Sequence, residues 1–174
     1  MSAARTVATA LRVVGQLRRD LRTLALLLVV PCALMVIVDQ LFAGREQVFQ
    51  SVGVPMLGLF PLISMFLVTS ITMLRERTTG TLERLLTLPL TKLELLLGYG
   101  IAFAAVAAVQ AIVVSVVGFG LLGLEAAHSD LLIVGLAVAN AVLGMAFGLF
   151  VSAFARTEFQ AVQFMPAFVL PQIL

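Results

Sequence analysis

Tryptophan is absent from this 174-residue chain, and tyrosine, histidine, cysteine and lysine occur once each. Each scarcity excludes something. The lone lysine, Lys92, follows Thr91 rather than a glycine, so no G-x-x-x-x-G-K-[ST] phosphate loop can be written anywhere in the chain. Cys32 sits alone in an apolar run, which excludes an intrachain disulfide and a cysteine metal cluster. His128 stands in a predicted loop near Asp130, and no Cys/His set has zinc spacing. Ser115 and Ser152 fall in apolar segments with no base beside them in sequence, so no nucleophile is set up for covalent catalysis. Without tryptophan, an aromatic belt would have to rest on phenylalanine and Tyr99.

Charge is the largest deficit. Only 11% of residues are charged, 61% are hydrophobic, and mean hydropathy is +1.15. A soluble domain of this size must cover itself with polar groups, so lipid is the solvent this composition requires. Arginines precede the first apolar run, Leu24 to Val38, but no small-x-small cleavage site follows it, and Val-Val-Pro before Cys32 is a poor lipoprotein site. The run reads as an uncleaved first span.

A hydrocarbon core of about 30 Å takes about 20 apolar helical residues. Five segments meet or approach this: 23–38, 52–74, 95–124, 131–155 and 159–174. Backbone groups in lipid must bond within their own segment or a closed barrel. Runs such as "LLLVVPCALMVIV" lack the alternation of barrel strands, so the expected fold is all-α and polytopic. Acids are missing from the span interiors, Asp39 and Glu125 lying at span edges, which disfavours a proton relay.

The eleven cations show the topology. All but Arg45 fall in alternate connections: Arg5, Arg12, Arg18, Arg19 and Arg22 before the first span, Arg75, Arg77, Arg84 and Lys92 in 75–94, and Arg156. The positive-inside rule then places the N-terminus, 75–94 and 156–158 in the cytoplasm, with 39–51 and 125–130 outside. Within 1–22, Val7, Leu11, Val14, Leu17 and Leu21 recur at helical spacing while Arg5, Arg12 and Arg19 occupy another face. This suits an amphipathic helix in the cytoplasmic headgroup layer, or a basic flank that sets topology. The chain reads as one membrane domain, 1–174, stopping inside its fifth apolar run as a truncated chain would.

Segment 75–94, "RERTTGTLERLLTLPLTKLE", is charged and broken by proline between two spans. Gly80 is expected to break the helix and Thr81 to cap a new one. Leu82, Leu85 and Leu86 share a face, with Glu83 and Arg84 elsewhere. Pro89 ends that helix, and Thr91 with Glu94 forms a T-x-x-E capping box that starts the third span. The segment reads either as a topology anchor or as a short amphipathic docking helix fused to two spans.

The stretch "RERTTGTLERLLTLPLTKLELLLGY" closely resembles the signature of ABC-2 type transporter permeases, E-R-x-x-G-T-L-E-x-L-L-x-x-P-x-x-x-x-E-x-x-x-G-K. Glu76, Arg77, Gly80, Thr81, Leu82, Glu83, Leu85, Leu86, Pro89, Glu94 and Gly98 match; Thr79 and Tyr99 depart, Tyr99 standing where lysine is usual. The resemblance implies a six-span permease that pairs with a second copy or a homologous permease. It also implies docking of two cytosolic ATPases, which hold the ATP and magnesium, so that no cofactor is bound by this chain. By the same resemblance 75–94 is the coupling element: Leu82, Leu85 and Leu86 fill a groove of the ATPase, Glu83 and Arg84 bond its surface, and Glu76, Arg77 and Glu94 set the angle of the helix.

In the fourth span Asn140, Gly144, Gly148 and Ser152 recur every four residues, a close-packing stripe for an intramolecular neighbour or a second copy. Gln110 and Asn140 are mid-span amides that need partners on other helices and are candidates to line a substrate path. Pro31, Pro55 and Pro61 are expected to kink or start helices. The function these features imply is the non-enzymatic permease subunit of an exporter in the plasma membrane, moving hydrophobic drugs, lipids or lipid-linked molecules. The alternative is a membrane anchor or regulator that tethers an ATPase without transport. An ion-coupled carrier is disfavoured by the missing intramembrane acids.

Overall fold

Asp20 divides the first two helices. Its backbone (φ −90°, ψ 76°) leaves the helical region, and its carboxylate accepts the Thr23 N–H at 3.1 Å and the Thr23 hydroxyl at 2.6 Å. The residue thus ends α1 (Ala3–Arg19) and caps α2 (Leu21–Leu41). A computed structural model describes residues 2–87, 91–125 and 129–172, and every regular element among them is helical. The order continues with α3 (Glu46–Thr78), α4 (Thr81–Leu86), α5 (Lys92–Val116) with a π turn at Val117–Leu121, α6 (Asp130–Phe154) and α7 (Glu158–Val169) with a 3-10 turn at Leu170–Gln172.

Four helices are long and apolar enough to cross a membrane: α2, α3, α5 with its π turn, and α6. The fifth segment expected to span is shorter in its described part. It forms the 12-residue α7 with Pro166 inside it, and Pro171 falls in the 3-10 turn. The second span is longer than expected. At 1.5 Å per residue, 33 helical residues reach about 50 Å, well past a hydrocarbon core of about 30 Å. Glu46 lies at one end of α3, and Arg75, Glu76 and Arg77 at the other. Pro31, Pro55 and Pro61 all lie inside helices rather than starting them.

α3 is the axis of the fold. On one side it runs parallel to α6 in a four-residue register. Gly58 faces Asn140, Gly144 lies on the Leu62 backbone, and a Cβ on Gly148 would stand 2.7 Å from the Phe66 carbonyl oxygen. Small residues let the two backbones meet without side chains between them. The expected stripe is therefore an intramolecular packing face. α5 packs against both α6 and α3 and runs antiparallel to α3. Gly118 faces Leu57, the Gln110 amide donates to the Ser64 hydroxyl, and Tyr99 lies beside Glu76. The Gln110 N–H thereby finds an interhelical partner, while its buried carbonyl oxygen has none. At the α3 start, Gln50 donates to the Gly123 carbonyl at 3.0 Å and accepts the Glu125 N–H at 2.8 Å, which pins the turn after α5.

α1 lies against α5 by a face rich in small residues. Thr6, Thr9, Ala10, Val13 and Leu17 are buried. Of the expected apolar face, Leu17 and Val14 pack inward, Val7 and Leu11 are 52% and 68% exposed, and Leu21 belongs to α2. The reason is close approach: at Gly98 of α5 a Cβ would stand 2.6 Å from the Thr9 Cβ and 3.1 Å from the Thr6 carbonyl oxygen. Leucines cannot enter so narrow a gap, whereas threonine and alanine can.

Candidate functional site

The segment between α3 and α5 is built from two backbone breaks. Gly80 adopts φ +72°, a left-handed conformation that costs glycine little and other residues more. It reverses the chain after Thr79 and is itself the N-cap of α4. Thr81 is therefore the first helical residue rather than the cap. Its hydroxyl lies 3.1 Å from that of Thr79 and takes no orphan N–H. α4 begins instead on a backbone bond, the Arg84 N–H to the Gly80 carbonyl at 3.1 Å, and closes with the Thr87 hydroxyl on the Arg84 carbonyl at 2.7 Å.

Leu82 and Leu85 are half-buried and pack on the core cluster that holds Met73, Tyr99, Phe103 and Ala10. Glu83 and Arg84 are exposed. The side chain of Leu86, and Pro89 entirely, lie outside the described residues. Leu82 and Glu83 border a groove of about 360 Å³ with Leu74, Arg77, Thr78, Ala155 and Arg156. Arg77 donates to the Ser152 carbonyl in the last turn of α6, a favourable place for a cation because helix C-terminal carbonyls are partly unsatisfied. Ser152 is buried and its hydroxyl donates to the Leu149 carbonyl at 2.6 Å. Arg75 grips Glu158 at the start of α7 through two bonds of 2.6 and 3.2 Å, and this pair holds the Glu158 carboxyl below its ordinary pKa.

At the second break the capping box forms as expected. The Thr91 hydroxyl accepts the Glu94 N–H at 3.2 Å, and the Glu94 carboxylate accepts the Thr91 N–H at 2.9 Å. The other Glu94 oxygen accepts the Ser2 N–H at 2.6 Å, which ties the start of α1 to the start of α5. Glu94 is buried, so its carboxylate spends both oxygens on backbone groups.

The site therefore gathers two sets of motif residues. Gly80 caps α4, and Thr81, Leu82, Glu83 and Leu85 lie in it. Glu76, Glu94 and Gly98 face α1: Glu94 takes Ser2, Gly98 admits Thr9, and Glu76 lies 3.8 Å from Arg12. Gln110 and Asn140 are set apart from α4, deep between α3, α5 and α6. The share of α1 in the site escapes the leucine pattern. The signal that carries it is the small-residue spacing Thr6, Thr9, Ala10 and Val13.

The profile of the ABC-2 type transporter family matches residues 6–174. The chain is 31% identical over 119 residues to the probable multidrug ABC transporter permease YbhR of Escherichia coli strain K12 and to its namesake in Escherichia coli O157:H7. The alignment takes in 68% of this chain and 32% of each relative, so the chain matches about a third of their length. No solved structure gives a significant match. With α4 held between two spans and the profile matched from Thr6 to the last residue, the chain belongs to the ABC-2 type transporter family, an integral membrane permease family.

Proposed function

We propose that this chain is membrane-spanning machinery of an exporter whose power comes from a separate cytosolic ATPase docked on α4. The observation that carries the reading is the division of α4 into an outward and an inward face. Glu83 and Arg84 stand free, while Leu82 and Leu85 are rooted in the core shared by α1, α3 and α5. A force on the charged face is then delivered to helices that cross the membrane. The leucines act chiefly as the root of the lever, and Glu83, Arg84 and the groove by Arg156 meet the partner.

ATP and magnesium sit on that ATPase, because this chain has no phosphate loop to hold them. The N-terminus and α4 face the cytoplasm, an orientation the cation distribution supports, and the membrane is the plasma membrane. A second permease copy, or a homologous permease, completes the path. The transported molecules are hydrophobic, which the apolar spans and the multidrug description of the relatives support. Asn140, half-buried against Gly58, and Gln110, buried on Ser64, supply polar groups in an otherwise apolar wall.

Affinity purification of the tagged permease from its native membrane tests the reading. The parent is expected to carry a phosphate-loop ATPase. The charge-reversed Glu83→Arg/Arg84→Glu variant should weaken that association tenfold or more, about 1.4 kcal/mol, with helicity and melting unchanged. A folded parent that brings down no such ATPase overturns the docking role. An ATPase that binds without ATP-driven flux leaves the chain a tether.

A further inference from the structure

Three buried polar atoms from three helices meet without hydrogen-bond partners: Arg12 Nη1 of α1, Glu76 Oε2 of α3 and the Tyr99 hydroxyl of α5. Tyr99 is fully buried beside both charged groups. Arg12 Nη2 stands 3.8 Å from Glu76 Oε2, whereas a charge-assisted N–H···O bond closes at about 2.7–2.9 Å. Buried polar groups are nearly always satisfied, so three orphans in one junction call for an explanation. The charges match, the phenol is the third donor, and a closure of about an ångström would pair them.

We propose that Arg12, Glu76 and Tyr99 form a latch that couples α1 to the lever α4, with Arg12 as its positioning residue. The inference rests on the docking role proposed above. Glu76 lies one helical turn before Gly80, so a push on α4 turns the last residues of α3 and carries the carboxylate toward Arg12. α1 is already fastened upstream, at Ser2 by Glu94 and at Thr9 by Gly98. Arg12 is the charged contact of α1 toward α3, and closing it draws that helix after α3. Tyr99 then donates to the carboxylate from the α5 side. Tyr99 brings no positive charge from α5, so the cation for Glu76 comes from Arg12 of α1. Motion of α3 is thus transmitted to α1 in this chain.

The test uses the permease in proteoliposomes with Cys32→Ser and spin labels at Leu11→Cys and Thr78→Cys, both at exposed positions. The reconstituted permease carries its docked ATPase, and the inter-label distance is read without nucleotide and with ATP. In the parent it should shorten with ATP. Arg12→Gln should lose that shortening and cut ATP hydrolysis about fivefold or more, while Arg12→Lys keeps both. Adding Tyr99→Lys to Arg12→Gln should restore thermal stability, since Glu76 regains a cation, yet not the shortening. A merely structural ion pair would leave the shortening intact in Arg12→Gln. Shortening in Arg12→Gln like the parent's, or Arg12→Lys behaving as Gln, overturns the latch. A permease that recruits no ATPase sinks the docking role and the latch driven by it, whereas an ATPase that docks and hydrolyses ATP while Arg12→Gln still shortens overturns the latch alone.

Discussion

Gly144 of α6 rests on the Leu62 carbonyl of α3, and one turn later Gly148 rests on that of Phe66. The two glycines hold the parallel pair together by removing everything between its backbones. Along this seam lie Asn140 against Gly58 at one end and the Arg77–Ser152 bond at the other. A partner acting near Arg77 therefore acts on α6 as well as on α3.

Adding a methyl at Gly144 should separate the seam. Gly144→Ala is expected to destabilise by about 1–3 kcal/mol, the usual cost of overpacking against unyielding backbone. Gly100→Ala is the control, since a Cβ there meets nothing within 4 Å. It should be neutral or stabilise by up to about 1 kcal/mol through helix propensity. Thermal melts in detergent read both, and equal melting of the two variants would refute the seam.

α1 should be released by changes on α5 that never touch its own sequence. Gly98→Val meets Thr9 and the Thr6 carbonyl and should weaken the α1 docking by about 1–3 kcal/mol. Glu94→Ala removes the acceptor for Ser2 together with half of the capping box. Hydrogen exchange across residues 3–19 should speed up in both variants while α6 stays protected. Unchanged exchange in α1 would show that it is held elsewhere.

Asp20 confers a pH dependence with a definite sign. The Thr23 hydroxyl and N–H bond its charged form and hold its pKa below the ordinary carboxylate value. The stability it adds is fully present above the unfolded pKa of about 3.9 and fades as pH falls through the lower folded value. Asp20→Asn keeps a cap that does not titrate. The melting difference between parent and variant should shrink below about pH 4. Asp20→Ala should cost about 0.5–1 kcal/mol at neutral pH, because the cap is exposed. A difference independent of pH would remove Asp20 from the account.

Much of the candidate site was legible because its signals are local. A positive-φ break needs glycine, and Gly80 supplies it. A capping box needs T-x-x-E, and Thr91 with Glu94 completes it. The cap at Thr81 was misplaced by one residue because either Gly80 or Thr81 can precede a helix, and the αL turn decided for glycine. Partners distant in sequence left no such mark: nothing local to Glu94 names Ser2, and nothing local to Glu76 names Arg12.

Composition and periodicity alone determined that this chain is helical, that lipid is its solvent and roughly where four of its long apolar helices fall, because lipid forces each segment to satisfy its own backbone. The same local chemistry set the breaks around α4. Tertiary structure decided which faces meet. It turned Thr6, Thr9 and Ala10 of α1 onto α5 and left Val7 and Leu11 exposed, since only small side chains fit over Gly98. It rooted Leu82 and Leu85 in the core and brought Arg12, Glu76 and Tyr99 together. Helix-to-helix contacts depend on the shape of two surfaces at once, and a single run of sequence describes only one of them.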